Sequence, residues 1–166
     1  MSGAGKTTTA KLLSLRLREA GARVEVLDGD LIRTYLSKGL GYTREDRDEN
    51  IKRIGFVCEL LSRNGVVAIV AAIAPYREAR DEMRAKIKNF VEVYVKCPLD
   101  VLVARDAKGL YKKALAGEIS HFTGVSDPYE APLHPEVTID SSLESPEEAS
   151  AKVWAALEGL GLIGQS

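Results

Sequence analysis

The sequence predicts an α/β fold, with a central parallel sheet covered by helices on both faces. Three observations carry this. Short apolar runs alternate with longer amphipathic segments along the chain, an order that builds parallel strands joined by helical crossovers. The run from Val66 to Ala72 is apolar without alternation, as expected of a parallel strand covered on both faces. Third, Ser2-Gly3-Ala4-Gly5-Lys6-Thr7-Thr8 matches the back half of the phosphate-binding pattern G-x-x-x-x-G-K-[ST], directly ahead of a helical pattern. At 166 residues, with 45% apolar and 28% charged residues, the chain has the size and composition of one globular domain.

Taken in order, Ala10, Leu12, Leu13, Leu15 and Leu17 lie among Lys11, Arg16, Arg18 and Glu19, giving an amphipathic helix that stops at Gly21. Arg23 to Leu27 is a short strand running into Asp28-Gly29-Asp30, and Leu31 to Ser37 is a short helix. After a glycine-flanked loop at Gly39 to Tyr42, Thr43 and Asp46 form a capping box for a helix from Arg44 to Arg63. Ile51, Ile54, Val57, Leu60 and Leu61 mark its apolar face; Arg47, Asn50 and Arg53 mark the polar one. Asn64-Gly65 ends it. The strand Val66 to Ala72 follows, closed by Ile73 to Arg77, and a charged helix covers Tyr76 to Lys88. Val91 to Cys97 is a strand, Pro98 opens a helix over Leu99 to Arg105, Val137 to Asp140 is the last strand and Pro146 to Leu157 the last helix. Between them, from Asp106 to His134, glycines and prolines break the apolar rhythm; a stretch this long inside one domain reads as a lid or binding loop.

The pattern of the phosphate loop calls for a glycine that would fall before Met1, and for a buried apolar strand ahead of it. The expectation is therefore a single domain over residues 1–166, truncated at its N-terminus and lacking its first strand. A net charge of −1 argues against a nucleic-acid surface held by bulk electrostatics. No apolar run approaches the length of a membrane span, and no signal peptide is visible. Cys58 and Cys97 sit far apart in apolar surroundings and read as buried free thiols in a reducing, cytoplasmic compartment.

The residues that carry chemistry begin with the loop. Gly3 and Gly5 allow the sharp backbone turn that aims N–H groups at phosphate oxygens. Lys6 supplies a charge to the β/γ-phosphates, Thr7 offers a hydroxyl to Mg²⁺, and the helix dipole adds to both. This says nucleotide phosphates without saying which reaction. The short chain, and Asp30 at a strand's C-terminal end with Arg33 a turn later, favour a small-molecule kinase in which Asp30 orients or deprotonates the attacking hydroxyl. Asp28 reads as a partner to Mg²⁺ waters; the competing reading of Asp-Gly-Asp is simply a turn. Arg33, Arg47, Arg77, Arg80 and Arg105 suit an anionic acceptor, against a solvated helix face, and for Arg80 the two readings are balanced. His121 and His134 lack further ligands at zinc spacing.

The segments Leu27 to Arg33, Glu45 to Ile51, Pro75-Tyr76-Arg77, Arg105 to Tyr111, Phe122-Thr123-Gly124 and Tyr129 to Pro132 resemble, in order and over nearly the whole chain, the signature blocks of adenylylsulfate kinase. The resemblance implies the three-layer α/β/α P-loop kinase fold, with a lid at about 106–134. It implies transfer of the ATP γ-phosphate to the 3′-hydroxyl of adenosine 5′-phosphosulfate (APS), giving 3′-phosphoadenylyl sulfate (PAPS), in sulfate assimilation. Carried over by residue, Gly3, Ala4, Gly5, Lys6, Thr7 and Thr8 would hold ATP, with Lys6 and Asp30 catalytic and Thr7 on Mg²⁺. Asp30, Arg33, Arg47 and Asn50 would contact the acceptor, Tyr42 and Phe122 would sandwich its adenine, and Ile73, Ala74, Lys108 and His121 would complete the site. The family also suggests a homodimer, free-standing or joined to ATP sulfurylase.

Three residues depart from the family pattern. Tyr42 stands where phenylalanine is common, which keeps the ring. His121 replaces a common glycine before the lid phenylalanine, narrowing backbone freedom there. Ala74 replaces the serine before Pro-Tyr, which closes any route through a phosphorylated serine at that place and leaves direct in-line transfer. The alternative weighed against a working kinase is a catalytically silent nucleotide-binding domain that regulates a sulfurylase; the retention of Lys6, Thr7 and Asp30 argues against it.

Overall fold

Helix α1, Lys6–Glu19, starts directly on the glycine loop, and its apolar stripe of Leu13 and Leu17 is buried. This is the first element of a computed structural model that describes residues 1–106 and 108–164. Ala107, in the expected lid, and Gln165 and Ser166, in the expected domain, lie outside the described residues. The remaining elements are β1 Val24–Asp28, α2 Gly29–Tyr35, α3 Arg44–Arg63, β2 Val67–Ala71, α4 Arg77–Lys86, β3 Val93–Lys96, α5 Leu99–Arg105, α6 Leu110–Leu115, β4 Val137–Asp140 and α7 Pro146–Gly159. The bounds of α3 are those the capping box and Asn64-Gly65 predict, and both halves of that box are made. A second capping box, Ser145 with Glu148, starts α7 with Pro146 in its first turn.

All strand pairing is parallel. β1 pairs with β2 in the register Val24↔Val67 to Asp28↔Ala71, and β3 pairs with β4 from Val93↔Val137 to Lys96↔Asp140. The strands thus form two pairs rather than one continuous sheet, and among the described residues no ladder joins β2 to β3. Period-two alternation splits the strand side chains between two helical layers. Val24, Val26, Ile69, Val93, Val95, Val137 and Ile139 pack against Leu13 and Leu17 of α1 and Val153 and Trp154 of α7. On the other side, Leu27 and Ala68 meet Ile32 of α2, Ile51, Ile54 and Cys58 of α3, and Ala79 and Met83 of α4. Helices therefore cover the strands on both sides, as the alternation of patterns predicts.

Full cover of the Val66–Ala72 run is not realised: Val67 is 38% and Val70 40% exposed. The reason is geometric: among the described residues β2 pairs with β1 alone, and no strand pairs with its other edge. Gly55 on α3 is required by packing, because a Cβ there would collide with the Met83 sulfur of α4. Cys58 and Cys97 are buried free thiols, and burial pushes the Cys58 thiol up to about 11.

Candidate active site

The phosphate loop has the backbone its composition implies. Gly3 and Gly5 take φ of +71° and +86°, in the left-handed region that other residues enter at a cost. Between them Ala4 is 1% exposed, so the loop is pinned to the core while its amides remain at the helix start. Gly5 caps α1 without any side-chain acceptor, so the positive end of the helix dipole faces outward from the loop. Lys6 Nζ donates to the Met1 carbonyl at 2.5 Å, and burial holds its ammonium down to about 8. A desolvated cation beside an uncapped helix start is chemically suited to an anion. The same donor set, with the Thr7 hydroxyl one residue on, fits a magnesium-bound polyphosphate.

The residues expected on the acceptor side come from segments far apart in the chain. One oxygen of Asp28 serves the fold: its Oδ1 caps α2, accepting from the N–H groups of Asp30 and Leu31 at 3.1 and 2.9 Å. That cap explains why the helix begins at Gly29, earlier than Leu31. The Asp30 side chain is 92% exposed, with Lys108 Nζ 3.9 Å away. The Arg33 guanidinium lies over the Tyr42 ring at 4.1 Å. Arg47 reaches the same ring and donates to two carbonyls, from Nε to Tyr42 at 3.0 Å and from Nη2 to His121 at 2.5 Å. One arginine thereby links the two segments that bear Tyr42 and Phe122. Asn50 is less free than expected, because its Oδ1 accepts from the buried Ser37 hydroxyl at 2.7 Å.

The segment expected to form a lid, 106–134, holds more structure than its sequence suggests. Asp106 accepts from the N–H groups of Tyr111 and Lys112 and so starts α6, a helix that the broken apolar rhythm concealed. Tyr111 is 2% exposed; its hydroxyl donates to the Ser2 carbonyl at 2.8 Å, tying the lid to the phosphate loop. Phe122 packs edge-on against Tyr111 with ring centroids 5.0 Å apart. His121 takes φ of +56°, the strained conformation that a glycine would adopt freely, and its Nδ1 lies 3.4 Å from Asp127.

The outer arginines depart from the expectation that they bind an acceptor. Arg77 Nε donates to the Ala131 carbonyl at 2.7 Å. Arg105 donates to the Ser141 carbonyl at 2.7 Å and approaches the Cys97 sulfur. Arg80 is neither solvated nor facing a ligand; it is 8% exposed and bonded within the protein on every nitrogen. Ile73 and Ala74 lie in the turn between β2 and α4, and the Ala74 carbonyl is one of the Arg80 acceptors. Beside the phosphate loop, Gly5, Thr9, Arg105, Ser141, Leu143 and Pro146 are among the residues lining a cavity of about 370 Å³. Sequence reasoning missed this cavity because its wall is a loop after β4 with no motif of its own.

With this geometry in hand, the comparisons with known proteins agree. The family model described as adenylylsulphate kinase matches residues 1–140. The adenylyl-sulfate kinase of Rippkaea orientalis is 59% identical over 99% of this chain and 91% of its own length. A probable bifunctional SAT/APS kinase of Sorangium cellulosum is 59% identical over 98% of this chain, which covers 28% of that larger protein. Among solved structures, the Mycobacterium tuberculosis APS kinase in complex with AMPPNP and APS superimposes with a TM-score of 0.90 at 40% identity, over 95% of this chain and 93% of that one. A family model that matches 140 residues, and a relative 59% identical over nearly the whole of both chains, join the glycine loop that opens α1 in one conclusion: the chain belongs to the adenylyl-sulfate kinase family.

Proposed function

We propose that this chain transfers the γ-phosphate of ATP to the ribose 3′-hydroxyl of APS, yielding PAPS and ADP for sulfate assimilation. In the transfer, the 3′-oxygen forms a new bond to the γ-phosphorus as the bond to the β,γ-bridging oxygen breaks, and the hydroxyl proton passes to Asp30. Lys6 and the amides of residues Gly3 to Thr8 hold the phosphates, and Thr7 would hold Mg²⁺, which when bound neutralises charge on the polyphosphate. The nucleoside end of ATP takes the cavity beside Arg105 and Ser141. Arg33, Arg47 and Asn50 receive the acceptor's charged and purine ends, Tyr42 and Phe122 flank its adenine, and Ile73, Ala74, Lys108 and His121 close the site. The observation that carries this reading is the double bridge of Arg47, which draws the Tyr42 and Phe122 segments to the face where Asp30 meets Lys108.

The chain reads as one kinase domain with a lid at 106–134, acting in the cytoplasm as a homodimer, alone or beside an ATP sulfurylase. Two buried free thiols suit a reducing compartment, and no described helix is long and apolar enough to cross a membrane. Retention of Lys6, Thr7 and Asp30, and relatives named for the kinase reaction, favour a working enzyme over a silent regulatory domain. The test is a coupled ADP-release assay with ATP, Mg²⁺ and APS. It is run on this chain and on a form with an apolar strand and glycine joined ahead of Met1, since among the described residues no ladder joins β2 to β3. PAPS formation supports the reading, whereas nucleotide binding without PAPS in both forms overturns it. Because Ala74 has no hydroxyl, acid-quenched single turnovers should show no phosphorylated protein.

A further inference from the structure

We propose that Arg80 is a positioning residue for the acceptor, holding the Ile73-Ala74 turn and the C-terminal root of the lid in fixed register. The inference rests on the APS kinase reading above, and concerns a residue that touches neither the phosphate loop nor Asp30. Arg80 lies on α4 and is 8% exposed. Its Nε donates to Glu92 Oε1, its Nη1 to the Ala74 carbonyl and its Nη2 to the Glu130 carbonyl, each at 2.7 Å. The guanidinium plane also lies 5.8 Å from the Tyr129 ring, which stacks on Tyr94.

Burying a guanidinium is costly, and an ion pair with Glu92 would not by itself justify it, since apolar residues often fill such a space as stably. The geometry points instead to the two carbonyls. They belong to segments separated by more than fifty residues in the chain, and Arg80 spans them with two arms of one rigid, planar group. The same junction is closed from other directions. The Glu130 N–H donates to the Pro75 carbonyl at 2.8 Å, the Glu130 carboxylate accepts from the Arg77 N–H at the start of α4, and Arg77 Nε reaches the Ala131 carbonyl. Helix α4 has no side-chain cap of its own, so Glu130 supplies the missing acceptor. From this root the lid runs back to Phe122 and His121. Fixing the root against Ala74 therefore sets where the lid residues return relative to the acceptor turn.

Arg84, one turn further along α4, provides the internal control. It pairs with Glu136 and, through Glu92 Oε2, shares the carboxylate that Arg80 holds by Oε1. Its partners are these carboxylates and the Phe90 ring rather than the Ala74 and Glu130 carbonyls, so its loss tests the ion pairs apart from the two carbonyl bonds. The experiment compares Arg80→Lys, Arg80→Met and Arg84→Met in steady-state assays with ATP and APS, each at the same interval below its own melting temperature. Both Arg80 variants are expected to raise the KM for APS about tenfold, the scale of one or two lost buried hydrogen bonds, with the KM for ATP unchanged within about twofold. Lysine should not rescue, because a point charge cannot reach three acceptors in three directions. Arg84→Met should lower the melting temperature and leave both KM values in place. Equal KM changes for both substrates, or Arg80 variants that behave as Arg84→Met does, would overturn the proposal. If the Arg80 variants do not fold, Glu130→Ala opens the same junction from the lid side and should give the same selective rise; an unchanged KM for APS there overturns the proposal. A parent chain that makes no PAPS overturns the kinase reading and this inference together. An active parent with unaltered variants overturns the inference alone.

Discussion

The two halves of the site are built on opposite plans. The donor half comes from six consecutive residues, Gly3 to Thr8, whose shape is set by two left-handed glycines and the start of one helix. The proposed acceptor half draws Asp30, Tyr42, Arg47, Lys108 and His121 from segments about ninety residues apart at most, joined by arginine and lysine contacts across the fold. A local site is rigid as soon as its helix forms, whereas an assembled one depends on tertiary contacts that a single side chain can undo. Damage to the donor half, or to Asp30 at the reacting hydroxyl, should therefore lower the rate of the chemical step, and damage to the rest of the acceptor half should show first in acceptor affinity.

The largest effects should come from the charges at the reacting atoms. Lys6→Met removes the cation proposed to sit on the phosphates, and Asp30→Asn removes the proposed proton acceptor while leaving the shape. Each should lower kcat by about 10²–10⁴-fold, the range of a lost general base or transition-state electrostatic partner. The readout is ADP release at saturating ATP and APS. Asp30 is 92% exposed, so its substitution should leave the melting temperature unchanged. A fall in stability matching the fall in kcat would mean that Asp30 belongs to the scaffold.

Next in size is Arg47→Lys. Lysine keeps the charge but cannot hold the Tyr42 and His121 carbonyls together, so the two ring-bearing segments should part. The KM for APS should rise about 10–100-fold, as expected when one or two charge-assisted hydrogen bonds are lost, with the KM for ATP unmoved. Equal changes in both would erase the distinction between the halves.

How much of this was legible follows the same division. Residues near in sequence could be read directly: the loop, the Thr43–Asp46 capping box and the bounds of α3 match the structure because their determinants lie within a few positions. The two helical layers were legible from apolar periodicity. What could not be read depends on partners at a distance. Arg80 looks like any charged residue on a charged helix until Ala74, Glu92 and Glu130 are seen around it. Helix α6 is only six residues long, and its signal is Asp106 capping N–H groups five and six residues on, which no simple pattern registers. Exposure of Val67 and Val70 follows from which strand edges meet, and that is a property of the whole sheet.

A pH profile sharpens the donor half further. In the free protein burial holds Lys6 down to about 8, against an ordinary value of 10.5. Between those values the folded chain binds fewer protons than the unfolded one, so this group makes folding more favourable as pH rises from about 8 to 10.5. Polyphosphate favours the ammonium, and binding above pH 8 must then take up a proton. The affinity for ATP should therefore fall by up to about tenfold per pH unit above 8, with matching proton uptake in calorimetry across buffers of different ionisation heat. A flat profile to pH 9.5 would mean that Lys6 is solvated in solution.

The smallest effect concerns His121. Holding a non-glycine residue at φ of +56° costs about 1–2 kcal/mol, and glycine would remove that cost. Glycine also loosens the unfolded chain, at about 0.4–1 kcal/mol, and loses the contact of the imidazole with Asp127. The opposing terms should leave His121→Gly within about 1 kcal/mol of the parent in stability, with its lid freer to depart from one backbone state. Hydrogen exchange should then quicken over residues 118–127 and stay constant over α1, with the KM for APS rising no more than about threefold because the Arg47 bond is to a carbonyl that glycine retains. If exchange quickened equally in α1, the lid and the phosphate loop, tied by Tyr111 to Ser2, would open as one unit, and the two halves would be less separate than their contacts imply.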